Sequence, residues 1–145
     1  MKDSSHYRSL AVASRVDRLD QVADFVEECA VATAIVPHRL TVLRLVVEEV
    51  FVNVCHYAYL DGEGEVSVGC SVDDDAFVLE VSDGGRPFDP LTRTPPDTSL
   101  DLLDRGIGGL GIHLVRTLSD SVTYRREDDR NILRMTFRDK PVPPG

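Results

Sequence analysis

Glu49 and Asn53 are polar residues four positions apart in the otherwise apolar segment LVVEEVFVNVCHYAY, residues 45–59. Residues with this spacing project from the same side of an α-helix, so a carboxylate and an amide would reach one ligand. An asparagine oxygen suits Mg²⁺ that otherwise keeps water and phosphate oxygens, and a glutamate can accept a proton from a nucleophile. The pair therefore indicates phosphoryl transfer. Taken alone, it fits more simply the alternative that both residues are solvated or hydrogen-bonded at the edge of the buried helix face.

Two neighbours of this pair have simpler interpretations. Glu48 follows Arg44 by four residues, a spacing that predicts a solvated surface ion pair. His56 follows Asn53 by three residues, so it either lines the same pocket or is a partly buried residue at its edge.

A second motif is VSDGGRPFDP, in which Asp83 ends a predicted strand and Gly84 and Gly85 allow a sharp turn against a ligand. An ionised aspartate only accepts hydrogen bonds, which matches the exocyclic amine of adenine. The alternative is an ordinary turn at the end of a strand, for which this composition is also typical.

A third motif, GIGGLGIHLVR, runs glycines into a predicted helix start, where backbone N–H groups bind phosphate without lysine or arginine. It also spells G-x-G-x-x-G through Gly106, Gly108 and Gly111, which predicts a dinucleotide site in a Rossmann fold. That interpretation fails because no strand directly precedes the motif, and too little chain follows Asp128 for further βαβ units. A glycine-rich loop that merely starts a helix stays open.

Composition limits the remaining functions. The chain has 145 residues, which suits one domain, and its net charge of −9 argues against a nucleic-acid surface. It shows neither a signal peptide nor an apolar run of membrane-spanning length, so we expect a cytoplasmic protein that binds neither membrane nor nucleic acid directly. Cys29, Cys55 and Cys70 have apolar neighbours and are expected to be reduced core residues.

Periodicity predicts the elements that must position these motifs. The segment 84–108 has no sustained period and is rich in Pro, Gly, Asp and Thr, which favours a functional lid. We expect a disordered or loosely packed tail at about 139–145. The order of elements predicts one domain, 1–145, with an α+β fold: a two-layer α/β sandwich with helices on one face of a mixed β-sheet. Strands are predicted at 8–14, 65–72, 76–83, 121–127 and 131–137, and helices at about 17–35, 37–59 and 109–120.

The three motifs in this order resemble the N, G1 and G2 boxes of the ATP-binding domain shared by gyrase, histidine kinases and their relatives, the GHKL superfamily. More closely, EEVFVNVCHYAY, DGGRPFDP and GGLGIHLVRTLSDSVTYRREDDRNIL resemble the bacterial anti-sigma regulatory factors, also called anti-sigma-factor serine kinases. The resemblance extends from LAVAS to MTF. A histidine kinase fits less well, because no upstream helical segment with a phosphoacceptor histidine is seen in this chain.

The resemblance implies a Bergerat-type fold that binds ATP and Mg²⁺ under a mobile lid. It implies a serine protein kinase that phosphorylates an anti-anti-sigma protein of the STAS class, sequestration of a sigma factor, and a homodimer. By position, Glu49 matches the general base and Asn53 the Mg²⁺ ligand. Arg105 beside the glycine loop would reach the γ-phosphate, or is a solvated lid residue.

Other positions carry over to the nucleotide site. Asp83 matches the adenine-reading acid and Gly85 the glycine beside it. This chain departs from the family at Tyr57-Ala58-Tyr59, where members often have His-Ala-Tyr or His-Gly-Tyr, and at Arg130-Asn131, where the superfamily commonly has Gly-Thr. The residues expected to bind the nucleotide are Asn53, Tyr57, Asp83, Gly85, Phe88, Arg105, Gly106, Gly108, Gly109, Leu110, Gly111 and Asn131.

Three functions are compatible with these motifs. The first is a serine kinase, for which Glu49 with Asn53 argues, because a nucleotide sensor needs the metal ligand but not the base. The second is a regulator that binds ATP or ADP and acts only by binding its partner. The third is a Rossmann-like dinucleotide binder, which the context of the glycine motif disfavours.

Overall fold

A five-stranded sheet and three α-helices form the part of the chain that the computed structural model describes, residues 7–33, 39–59, 62–92 and 108–138. Short 3-10 helices lie at Val16–Arg18 and Pro90–Thr92. The strands are β1 (Arg8–Ala13), β2 (Glu65–Asp73), β3 (Ala76–Asp83), β4 (Ser121–Glu127) and β5 (Arg130–Arg138), and the helices are α1 (Leu19–Ala32), α2 (Leu40–Tyr57) and α3 (Gly108–Leu118).

The strand order is β1-β2-β3-β5-β4, and all four neighbouring pairs are antiparallel. The prediction of a mixed sheet is therefore wrong. A single helix between β1 and β2 would bring the chain back to the end of the sheet where β1 starts, and β2 would then run parallel to β1. Here two successive helices, α1 and α2, bring the chain back to the end of the sheet where β1 finishes. Strand β2 therefore runs antiparallel to β1. Strand β5 lies between β3 and β4 and prevents a parallel pair there.

One face of the sheet carries the core. Alternate residues of β3 and β5 are buried, from Phe77 to Val81 and from Leu133 to Phe137. The same alternation continues to Asp83 and Asn131, which are register partners at one end of this face. The period of the two strands thus places two polar residues on the core face, where the apolar surface ends.

The helices cover that face, as predicted. Val26 of α1, Phe51 of α2 and Val115 of α3 are fully buried and belong to one cluster with the apolar residues of the sheet. Helix α3 packs against α2 and contacts β4, so α2 lies between α1 and α3 in the helical layer. The predicted two-layer α+β architecture is confirmed.

The hairpins β2–β3 and β4–β5 turn on pairs of aspartates. Asp74 and Asp75 have φ of 54° and 68°, and Asp128 and Asp129 have φ of 54° and 63°. Two residues with positive φ between antiparallel strands form the type of turn whose twist matches that of the strands. Both turns fall in the short gaps, 73–75 and 128–130, between the predicted strands.

Several local predictions can be compared with the structure. Helix α2 ends at Tyr57, and its predicted start at Pro37 lies outside the described residues, as do 93–107 and the tail 139–145. Arg44 pairs with Glu48 at 3.3 Å, as the spacing predicted.

The three cysteines are free, and burial raises the pKa of each thiol, that of Cys55 to about 11. Within the ranges given above, no helix has the length and apolar character needed to cross a membrane.

Candidate functional site

A cleft lies between α2 and the end of the core face of the sheet. It holds about 340 Å³ of space, including the part open to solvent. Four predicted site residues lie together in its walls, and apolar side chains supply most of the remainder. The lining residues are Val50, Asn53, Val54, Ala58, Val81, Asp83, Phe88, Pro90, Tyr124, Asn131 and Leu133.

Asn53 faces this cleft from the buried side of α2. Its residue surface is 3% exposed, and its Oδ1 atom is buried without a hydrogen-bond partner among the described residues. An unpaired buried polar atom costs about 1–3 kcal/mol, so its retention calls for a ligand. A carbonyl-type oxygen of this kind is a suitable ligand for Mg²⁺.

Asp83 ends β3 on the opposite wall and is 4% exposed. Its Oδ1 atom accepts hydrogen bonds from Gly85 N at 2.8 Å and from Asn131 Nδ2 at 3.0 Å. Its Oδ2 atom accepts none from the residues that the structure describes. One oxygen of the carboxylate is thus held in place while the other can serve a ligand.

Asn131 of β5 is 5% exposed and is the most heavily hydrogen-bonded side chain of the cleft walls described. Its Nδ2 atom donates to Asp83 Oδ1 and to Arg86 O at 2.8 Å. Its Oδ1 atom accepts from Phe88 N at 3.2 Å, Tyr124 Oη at 2.6 Å and Arg126 Nη1 at 3.1 Å. The amide therefore joins β3, β4 and the segment after β3.

Gly85 touches the end of α2. A Cβ atom at this position would overlap the carbonyl group of Ala58, so only glycine fits without movement. Arg86 N donates to Ala58 O at 3.0 Å and Arg86 Nε to Tyr57 O at 2.9 Å. These two bonds satisfy carbonyl groups at the C-terminus of α2 and bind the turn to that helix.

The rings of Tyr57 and Phe88 stack beside the cleft, with centroids 5.6 Å apart and planes 24° apart. The Arg86 guanidinium lies 5.5 Å from the centroid of Phe88. Phe88 is a wall residue, whereas Tyr57 is outside the lining set and contacts the cleft through Phe88. The direct contact with nucleotide that we predict for Tyr57 stays a prediction.

Glu49 lies one helical turn before Asn53 and is half-buried, but it is not among the residues that line the cleft. Burial raises the pKa of its carboxyl above the ordinary value, and the neighbouring charge of Glu48 acts in the same direction. A raised pKa suits a carboxylate that accepts a proton. Its role as general base stays a prediction.

The glycine motif forms the start of α3, which begins at Gly108 and includes Gly109, Leu110 and Gly111 in its first turn. The first N–H groups of a helix have no partner within it, so this end can bind an anion. Since α3 packs against α2, the helix with the predicted metal ligand adjoins the helix with the predicted phosphate loop. Arg105 and Gly106 lie outside the described residues.

The predicted lid, 84–108, divides into two parts. Residues 84–92 are bound to the body of the protein, through the contacts of Arg86 and Phe88 given above and through Arg116, which donates to Leu91 O. The remaining residues, 93–107, are outside the described ranges. For these residues the lid stays a prediction.

Three further residues, which the sequence motifs did not indicate, support the site. Tyr59 Oη donates to Glu65 O at 2.7 Å and accepts from Gly84 N at 2.8 Å, which connects the end of α2 to the turn after β3. Tyr124 and Arg126 hold the Asn131 amide. The register of the β4–β5 hairpin could have indicated Tyr124 and Arg126. It places Arg126 opposite Asn131, and Tyr124, two residues before Arg126, on the same face of the sheet as Arg126.

The residues present fit a metal held jointly with a nucleotide. The described ranges contain no group of three His, Cys, Asp or Glu residues able to hold a metal ion alone. The unpaired oxygen of Asn53 instead offers one protein ligand, and Mg²⁺ commonly takes its other ligands from phosphate and water.

Comparison with known proteins agrees with this arrangement. The family model of the histidine kinase-like ATPase domain matches residues 12–137. Proteins named serine-protein kinase RsbW are similar to the chain: that of Listeria monocytogenes is 36% identical over 100 residues, 66% of this chain and 64% of the relative, and that of Bacillus velezensis is 37% identical over 87 residues, 55% and 53%. The match thus spans less than two thirds of these relatives. Because the family model covers nearly the whole chain, including both walls of the cleft, the protein belongs to the histidine kinase-like ATPase domain family.

Proposed function

We propose that this protein is a Mg²⁺- and ATP-dependent protein kinase that phosphorylates a serine of a STAS-type anti-anti-sigma regulator. The observation that carries the proposal is the buried Oδ1 atom of Asn53, which has no partner in the described part of the chain and lies in a cleft whose opposite wall is Asp83. The similarity to proteins named serine-protein kinase RsbW supports serine as the acceptor. A sigma factor sequestered by the same protein, and a homodimer, belong to the same proposal.

Different residues would bind the base, the phosphates and the metal ion in such a reaction. Asp83 Oδ2 accepts a hydrogen bond from the exocyclic amine of adenine, and the first N–H groups of α3 receive the phosphates. Asn53 Oδ1 would hold Mg²⁺, which, when bound, would supply positive charge against the charge of the transferring phosphoryl group. Arg105 would add a further positive charge at the γ-phosphate.

The chemical step is a direct transfer. The serine Oγ forms a bond to the γ-phosphorus while the bond from that phosphorus to the β,γ-bridging oxygen breaks, and ADP leaves. The proton of the serine hydroxyl passes to Glu49. The raised pKa of this carboxyl makes it a better proton acceptor once ionised.

The experiment incubates the purified protein with MgATP and a panel of STAS-domain proteins from the same organism, and locates phosphate by mass spectrometry. We expect phosphorylation of one serine in one partner, lost when that serine is changed to alanine. Binding of MgATP without any phosphorylated partner, across the complete panel, would contradict kinase activity.

A second candidate is a non-catalytic regulator that binds ATP or ADP and acts only by holding its partner. It is favoured by the position of Glu49 outside the walls of the cleft. The two candidates differ in whether the wild-type protein transfers phosphate to the STAS partner, a transfer that Glu49→Gln slows by about 10²–10⁴ if the protein is a kinase. In a non-catalytic regulator the same variant changes neither nucleotide binding nor capture of the partner.

A further inference from the structure

We propose that Asn131 is a positioning residue that acts through Asp83 and gives the cleft its preference for a 6-amino purine over a 6-oxo purine. The inference rests on the nucleotide binding proposed above. It concerns a position at which this chain departs from the Gly-Thr common in the superfamily.

The orientation of the Asn131 amide is determined by its neighbours. Phe88 N–H and Arg126 Nη1–H are donors and face Oδ1, whereas Asp83 Oδ1 and Arg86 O are acceptors and face Nδ2. Turning the amide over would set donors against donors and acceptors against acceptors. Its two N–H groups are both engaged, so Asn131 has none left for a base.

The effect of Asn131 on a nucleotide must therefore pass through Asp83. The two N–H groups on Asp83 Oδ1, from Asn131 and from Gly85, hold the carboxylate against rotation. Oδ2 is then presented as an acceptor in fixed orientation. A 6-amino group can donate to it, whereas a 6-oxo group would set one acceptor against another and leave both unpaired in a desolvated wall.

The same amide also fixes the segment that carries Phe88. Its bonds to Arg86 O and Phe88 N determine how this segment leaves β3, and Arg126 Nη1 adds a bond to Gly85 O at 2.9 Å. Asn131 thus sets both the acceptor that reads the base and the aromatic wall beside it.

The experiment measures dissociation constants of ATP and of inosine triphosphate, its 6-oxo analogue, by calorimetry at pH 8 and pH 5.5. Asn131→Asp keeps the shape but replaces Nδ2 with oxygen, so two carboxylate oxygens lie about 3 Å apart. At pH 8 we expect the affinity for ATP to fall about tenfold or more. We also expect the preference for ATP, which is the ratio of the dissociation constants of inosine triphosphate and ATP, to fall toward one. At pH 5.5 a shared proton restores one donor, so part of the preference returns.

Two further variants test whether the preference for ATP depends on the bonds of Asn131 Nδ2. Tyr124→Phe removes one donor to Asn131 Oδ1 but leaves both bonds of Nδ2, and we expect less than a threefold change in the ATP preference. Ser82→Ala, beside Asp83 but on the other face of β3, loses only its bond with Arg130 among the described contacts and should leave the preference unchanged.

The outcomes separate the two proposals. A wild-type protein that binds neither nucleotide would overturn the proposed function. A wild-type protein that prefers ATP, with Asn131→Asp weakening both nucleotides equally at both pH values, would show a purely structural role and overturn the inference. If Asn131→Asp unfolds below the assay temperature, Asn131→Ser replaces it in the experiment. Serine adds no charge and is too short to make both bonds of Nδ2. The ratio of the dissociation constants of inosine triphosphate and ATP then decides the outcome in the same way.

Discussion

Gly85 and Ala58 touch through their main chains: the position of a Cβ atom on Gly85 overlaps the Ala58 carbonyl group. This contact joins the turn that follows Asp83, the last residue of β3, to the C-terminus of α2, the helix that carries Asn53. The two walls of the cleft are thus held together at a point where no side chain fits.

Gly85→Ala is therefore expected to destabilise the protein by about 1–3 kcal/mol and to weaken ATP binding, because the turn must move away from α2. Gly84→Ala is the matched control, since a Cβ atom there would make ordinary contacts at 3.7 Å with Arg130 and Tyr59. Chemical denaturation and calorimetry measure the two effects. Equal losses for both variants would contradict the special role of Gly85.

Asn53→Leu should raise the free energy of unfolding by about 1 kcal/mol, because it removes a buried Oδ1 atom that has no partner among the described residues and keeps a side chain of similar size. The same variant should lose Mg²⁺-dependent ATP binding. Asn53→Asp should show the opposite pattern, with metal-dependent binding kept and stability lowered by a buried charge. Unchanged Mg²⁺ dependence in Asn53→Leu would remove Asn53 from the metal site.

Glu49→Gln should lower the rate of phosphoryl transfer to the STAS partner by about 10²–10⁴, the usual contribution of a general base. We expect its affinity for ATP to stay within about twofold of wild type. Glu48→Gln, one residue earlier and paired with Arg44, is the control and should keep most of the activity. A single-turnover assay distinguishes the two, and equal rates for Glu49→Gln and wild type would exclude the base.

The pH dependence follows from the raised pKa of Glu49. Transfer requires the ionised carboxylate, so the rate should rise with pH, with a midpoint above about 4.3, the ordinary glutamate value. Glu48→Gln should shift this midpoint down, because it removes the like charge that contributes to the shift. An unmoved midpoint would mean that another group controls the profile.

The raised pKa of Glu49 should also make the folded protein less stable as pH rises. The folded state holds the Glu49 proton more tightly than the unfolded chain, so ionisation costs stability as pH rises from the unfolded toward the folded pKa. Glu49→Gln lacks this cost. Its melting temperature relative to wild type should therefore increase between pH 4 and pH 7, and a constant difference would contradict the raised pKa.

Asp75→Gly should stabilise the β2–β3 hairpin by up to about 1 kcal/mol, because the φ of 68° favours glycine over a residue with a side chain. The turn lies at the far end of β3 from Asp83, so ATP affinity should not change. Thermal unfolding checks the first point and calorimetry the second. A loss of stability would show that the cost of ordering glycine is the larger effect.

Much of the fold was predictable because local periodicity is strong. The alternation in β3 and β5 predicted the strands that carry Asp83 and Asn131, and the gaps at 73–75 and 128–130 between predicted strands contain both hairpin turns. The spacing of Glu49 and Asn53 predicted one helical face, since side chains four apart must share it. The all-antiparallel sheet was missed, because strand order depends on how connections cross the sheet rather than on any local pattern.

The sequence by itself determined which residue types were present, their order, and the faces on which Asn53, Asp83 and Asn131 lie, because dihedral preferences and side-chain period are local properties. Only the tertiary structure decided that these three share one cleft, that the Asn53 oxygen has no partner within the described ranges, and that Asn131 is bound on both sides. Asn131 and Asp83 are 48 residues apart in the chain and meet only after the strands have paired, and no local pattern specifies that meeting.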